Sequence, residues 1–82
     1  MDMDLNDFED IESQNAQILK HFESGKSITA LEALKLYGCM RLSARIHDLR
    51  GKGHDIRTTM ESKMRLNGRV KRYARYWLHK ND

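Results

Sequence analysis

Between positions 63 and 72 stand five basic side chains, Lys63, Arg65, Arg69, Lys71 and Arg72, with no acid among them. They surround the dipeptide Asn67-Gly68. Cations held this close repel one another, and an anion carrying several charges along its length relieves that repulsion. The chemistry offered is polyanion binding. A polar, charged tip is ordinary for a hairpin, but five bases without a counter-charge exceed that expectation.

The other chemistry-bearing residues do not assemble. His21, His47, His54, His79 and the single cysteine, Cys39, lack the spacing of metal ligands. No Ser/His/Asp arrangement and no glycine-rich phosphate loop is present, and Gly51-Lys52-Gly53 reads as a helix stop. The expectation is a protein that is not an enzyme and takes no cofactor, metal or small molecule. One cysteine cannot form an intrachain disulfide, which suits a reducing cytoplasm. No apolar run approaches the roughly 20 residues that span a membrane, and no signal-peptide pattern opens the chain.

With 82 residues, 39% hydrophobic and 33% charged, the chain reads as one soluble globular domain with a modest core. Its net charge of +3 conceals an asymmetry. Residues 1–12 hold six acids and no base. All 15 Lys and Arg stand after position 12 against six acids, a net of +9. Nucleic acid is the commonest cytoplasmic partner for such a body, and a solvated solubilising face is the plainer alternative.

These residues need elements to hold them. Residues 1–12 read as a flexible acidic arm, because like charges crowd the segment. Leu5, Phe8 and Ile11, spaced by three, leave open a short amphipathic helix there. A first helix runs from about Ser13, its N-cap, to Glu23, with Ile18, Leu19 and Phe22 inward and Gly25 as its stop. Ser27-Ile28-Thr29 is a β-prone link. Thr29 caps a second helix, Glu32 completes a capping box, Leu31 and Leu34 come next, and Gly38 ends it. A third helix spans about Met40 to Arg50, burying Leu42, Ile46 and Leu49. From His54 the period becomes two. Ile56, Thr58 and Met60 alternate with polar residues, Asn67-Gly68 signals a hairpin turn, and Val70 to Leu78 is the return strand. Residues 13–79 therefore form the domain and residues 80–82 a polar tail. The fold class is mainly α with a small β-hairpin, the parts of a three-helix winged helix-turn-helix.

The stretch from Ser27 to Arg50, together with Gly53 and Ile56, resembles the small helix-turn-helix domains common in phage and prophage proteins. Gly38-Cys-Met-Arg-Leu-Ser-Ala-Arg-Ile46 is its most specific part, and Arg72-Tyr-Ala-Arg-Tyr-Trp-Leu78 resembles the closing strand of that family. The resemblance covers roughly residues 13–78. It implies a winged helix-turn-helix fold and, by association, DNA binding in the cytoplasm of a bacterial host.

In such a motif the second helix lies in the major groove. At about 100° per residue, the face opposite Leu42, Ile46 and Leu49 carries Met40, Arg41, Ala44, His47 and Asp48, with Ser43 at its rim. The candidates for base contact are Arg41, Ser43, Ala44 and His47. Those for phosphate contact are Arg50, Lys52, Lys63, Arg65, Asn67, Arg69, Lys71 and Arg72. Arg45 is expected to pair internally with Glu32 or Asp48. An acid on a groove-facing surface repels the backbone, so Asp48 counts against this helix. Tyr73, Tyr76 and Trp77 are assigned to core or dimer contact in preference to a platform for stacked single-stranded bases.

Two functions fit these residues. One is a double-stranded-DNA-binding transcriptional regulator of a phage or prophage, or a recombination accessory factor, with a homodimer supplying affinity. The other is a phage module that binds and inhibits a host protein, favoured by Asp48 and by the acidic arm.

Overall fold

The computed structural model describes residues 5–80, with side chains from Ile11 onward. Residues 1–4 of the acidic segment and residues 81–82 of the tail lie outside the described residues.

The first helix, α1, spans Leu5–Glu23. It begins well before the expected cap at Ser13, which lies within the helix, exposed. Carboxylates at the start of a helix interact favourably with the positive end of its dipole, and Lys20 and His21 complement the other end. Crowding of like charges therefore does not argue against a helix there. The inward face of α1 carries Ile18 and Phe22 into the core, with Leu19 packed beside them. His21 ties α1 to the link and to the second helix. Its Nε2 lies 2.8 Å from the Ser27 carbonyl, which can only accept, and its Nδ1 lies 2.7 Å from the Tyr37 hydroxyl.

A two-residue strand, β1 (Ile28–Thr29), leads into α2 (Ala30–Tyr37). The expected capping box forms. The Thr29 hydroxyl accepts from the Glu32 N–H at 3.2 Å, and the Glu32 carboxylate accepts from the Thr29 N–H at 3.0 Å. Gly38 ends the helix at φ 64°, a left-handed conformation that favours glycine. The buried residue of α2 is Ala33, whereas Leu31, Leu34 and Leu36 stay exposed. A small residue at the contact lets this short helix approach closely, and its leucines point elsewhere.

The third helix, α3 (Leu42–Gly51), starts two residues later than expected and has Arg41 as N-cap, without a side-chain cap. Leu42, Ile46 and Leu49 are buried as the spacing predicts. With Ile28, Cys39 and Ile56 they complete the core, and Tyr76 and Leu78 pack against it.

Strands β2 (Ile56–Met64) and β3 (Val70–Leu78) pair antiparallel along all nine positions. The sheet has three strands rather than two, in the order β1-β3-β2, because Ile28 pairs with Tyr76 and Thr29 with Arg75. The fold is therefore three helices with a small antiparallel sheet, and less purely helical than the sequence implies. On the turn side of Arg75 the two long strands have only each other, so the distal hairpin projects from the body. The turn is a three-residue loop. Gly68 N–H donates to the Arg65 carbonyl at 2.9 Å, Arg65 N–H donates to the Arg69 carbonyl at 2.7 Å, and Gly68 takes φ 82°. At the other end of the sheet, His79 N–H donates to the Asp55 carbonyl at 2.8 Å, and Lys80, expected in the tail, reaches the Glu23 carbonyl at 3.4 Å.

Candidate nucleic-acid interface

The start of α2, the start of α3 and the projecting hairpin enclose an open concavity of about 1240 Å³. Its walls include Arg41 and Ser43 from one side and Lys63, Arg65, Asn67 and Lys71 from the other. Six of the twelve expected contact residues thus meet around one space. Arg69 and Arg72 belong to the same hairpin and are exposed, as is His47 on α3, while Ala44 is half-buried.

Two of the expected phosphate contacts, both exposed, have partners within the chain. Arg50 donates from Nε to the Ile56 carbonyl at 2.9 Å and from Nη2 to Thr58 Oγ1 at 3.1 Å, joining the end of α3 to β2. Lys52 stands at the far end of α3, 3.6 Å from the Glu12 carboxylate. Neither joins the group around the concavity. Asn67 also has an internal role, since its Oδ1 accepts from the Arg69 N–H at 3.0 Å and braces the turn.

Asp48, expected on the groove-facing surface, points toward α1. Its carboxylate pairs with Arg45 at 3.1 Å and accepts from Asn15 Nδ2 at 3.3 Å. Of the two internal partners expected for Arg45, Asp48 is the one it takes. The outward face of α3 is thereby relieved of its acid. Lys35, on α2, also lines the concavity and is not among the residues the sequence singles out. Its position in the last turn of the helix preceding the motif's turn is the signal that marks it.

The charges sort by distance from the body. At the base of the hairpin each arginine has its acid. Arg57 pairs with Asp55 at 3.1 Å, and Arg75 pairs with Glu61 at 3.0 Å and Glu32 at 3.1 Å. Hydrogen bonding to Arg57 holds the Asp55 carboxyl below its ordinary range, and the Arg75 guanidinium does the same for Glu61. These acids stay ionised and consume the charge beside them. At the tip, Lys63, Arg65, Arg69, Lys71 and Arg72 have no ion-pair partner among the described residues, and neither do Arg41 and Lys35. Lys63 stands directly opposite Lys71 in the ladder. Like charges at that position cost stability, so the wing carries repulsion between its own cations.

The aromatic residues divide between faces. Tyr76 packs against the core as expected. Trp77 is on the opposite face, donating from Nε1 to Thr59 Oγ1 at 2.9 Å with the Arg57 guanidinium 5.9 Å from its ring. Tyr73 lies beside Glu61, whose carboxylate raises the phenol above its ordinary value. Among the described residues no group of His, Cys, Asp and Glu could hold a metal ion, and no helix is long and apolar enough to cross a membrane.

A helix, a tight turn, a second helix with an outward polar face, and a projecting antiparallel hairpin beside it define a winged helix-turn-helix. Residues 13–81 match the family described as winged helix-turn-helix domain, and the chain belongs to that family. Comparison with curated proteins and with solved structures returns no match.

Proposed function

We propose that this protein binds duplex DNA, with α3 in the major groove and the β2–β3 wing on the phosphate backbone. The observation that carries the reading is the shared concavity, where bases of the wing face Arg41 at the start of α3, all without an ion-pair partner among the described residues. Lys63, Arg65, Arg69, Lys71 and Arg72 contact phosphates. Each phosphate neutralised releases counterions, so affinity falls with salt. Arg41 reaches the edge of guanine, whose O6 and N7 both accept. Ser43 and His47 supply further hydrogen bonds, and the small Ala44 lets α3 lie close to the groove floor. Base contact gives specificity and the wing gives affinity.

The role built on this binding is that of a phage or prophage transcriptional regulator or recombination accessory factor, working in the bacterial cytoplasm without catalysis. A single domain of this size covers a modest DNA surface, so two copies on adjacent half-sites supply the working affinity. The alternative, inhibition of a host protein, draws on Asp48 and the acidic segment. With Asp48 engaged by Arg45 and Asn15, only the acidic segment still speaks for it.

The test is fluorescence anisotropy of a labelled mixed-sequence duplex at several salt concentrations. Log affinity is expected to fall linearly with log salt. Arg65→Ala and Arg69→Ala should each weaken binding across all sequences and reduce that slope by about 1. Absence of binding even at low salt overturns the reading.

A further inference from the structure

The tip of the wing is apolar as well as basic. Leu66 has a relative exposure of 110%, with its side chain standing free of the protein. Next to it in the ladder Met64 pairs with Val70, and these are 71% and 57% exposed. A lone exposed leucine needs no explanation. Three neighbouring apolar side chains at the end of a projecting hairpin, set among five bases that have no ion-pair partner among the described residues, do need one. Phosphate contact accounts for the bases and leaves the apolar residues without a partner.

The backbone that carries the leucine is also held in place. The loop Leu66-Asn67-Gly68 is closed by the Gly68–Arg65 and Arg65–Arg69 backbone bonds, and the Asn67 side chain fixes the Arg69 amide. Arg65 and Arg69 therefore flank Leu66 from both strands. An apolar side chain at the tip of a closed loop, with an arginine at each end of that loop, suits a narrow groove with anionic walls and a stacked apolar floor. The minor groove of duplex DNA is such a groove, and side chains of the leucine and methionine kind enter it as wedges between base steps.

We infer that Leu66 is an unstacking wedge, which enters a base step from the minor groove and kinks the duplex while Arg65 and Arg69 hold the flanking phosphates. Flexible pyrimidine–purine steps are its preferred entry points, because they unstack at least cost. A wedge entering from the minor groove bends the duplex toward its major groove, so the wing sets the path of the DNA that Arg41 and Ser43 meet. An anionic lipid surface would also attract basic and apolar residues together. The duplex is favoured because the wing shares its concavity with the start of α3. This inference rests on the DNA-binding reading above and adds a mechanical consequence to it.

The experiment uses the full chain and a duplex of about 30 base pairs, a length on which a sharp kink stands out against elastic stiffness. The duplex carries several TA steps, dyes at its ends and 2-aminopurine at one step. Binding of the wild type is expected to raise energy transfer between the ends and the 2-aminopurine fluorescence, reporting a bend on the order of 20–90°. Leu66→Ala should keep the salt slope of binding and lose both signals. Leu66→Phe should keep them, and Arg65→Ala should lower the slope. The position is fully exposed, so the variants are expected to fold, which circular dichroism verifies. Wild-type binding without a bend, or an unchanged bend in Leu66→Ala, overturns the wedge and leaves the DNA reading standing. No binding of the wild type at any salt overturns both. If Leu66→Ala abolishes binding to phosphatidylserine vesicles while the DNA signals are unchanged, the tip is a membrane device and the wedge is wrong.

Discussion

One oxygen of Glu32 accepts from two directions, from the Thr29 backbone N–H at 3.0 Å and from Arg75 Nη1 at 3.1 Å. The carboxylate that starts α2 thus also anchors the base of the wing, 43 positions away in the chain. Helix start and wing orientation are coupled through this atom. Glu32→Ala removes both contacts, leaves the Thr29 hydroxyl capping the residue-32 N–H, and is expected to cost about 1 kcal/mol, chiefly because the Thr29 N–H loses its acceptor. Glu32→Gln keeps the capping geometry and loses the charge pair, which is partly exposed and contributes about 0–1 kcal/mol. Urea denaturation should therefore rank wild type above Gln above Ala. Equal loss in both variants would show that the ion pair, and not the cap, carries the effect.

Asp48 gives a prediction that separates the structure from the sequence pattern. Were this acid in the groove, Asp48→Ala would tighten DNA binding. In the fold it compensates Arg45 through Nη2; that side chain is only 12% exposed, and its Nε has no hydrogen-bond partner among the described residues. The substitution leaves that charge alone and is expected to destabilise the domain by about 1.5–3 kcal/mol, the range for a hydrogen bond to a charged group. DNA affinity, measured below the unfolding transition, should not rise. A tighter complex with unchanged stability would return Asp48 to the groove.

Most of the scaffold is legible in the sequence because its signals are local. The period-two pattern from Ile56, the Asn67-Gly68 turn, the Thr29–Glu32 box and the Leu42, Ile46, Leu49 spacing each involve residues a few positions apart. The features that escape such signals depend on contacts at long range. The β-prone Ile28 becomes a third strand of the sheet only through pairing with Tyr76, and the surroundings of Arg50 and Asp48 depend on β2 and α1. The outward leucines of α2 escape for a related reason, since a helix of eight residues gives too short a period to fix its inner face. Of the candidate interface, the basic wing is visible as composition. Its convergence with Arg41 and Ser43 requires the hairpin to be placed.

Stability should fall at both ends of the pH scale through one carboxylate. Arg75 lowers the Glu61 carboxyl from its ordinary value of 4.5, so its stabilising contribution is complete above that pH. It is lost as pH falls through the lowered value of the folded state. The same carboxylate raises the Tyr73 phenol from 10.0, so that contribution is present below pH 10.0 and lost as pH rises through the raised value. Melting temperature against pH is the measurement. Glu61→Gln should flatten both flanks of the curve and Tyr73→Phe the alkaline flank alone. An acid flank unchanged in Glu61→Gln would assign the loss to other carboxylates.

Lys63 and Lys71 face each other across the ladder, and neither has an acid to pair with among the described residues. If this arrangement serves a polyanion, stability and binding must respond to it in opposite directions. Lys63→Glu replaces a like-charge pair by an opposite-charge pair, which contributes about 0.2–1 kcal/mol. In a domain of this size about 1 kcal/mol moves the melting temperature by roughly 4–8 °C, so a rise of a few degrees is expected. Duplex affinity should fall at the same time, with a salt slope smaller by about 1 for the lost phosphate contact. Lys63→Ala separates the terms. It removes the repulsion without adding an attraction, so its stability should lie between the other two, and its slope should drop as in the Glu variant. A melting temperature that rises while binding is untouched would make the wing a solvated charged face. A fall in both would mean that the lysine stem packs on the hairpin, and that its charge is secondary to that contact.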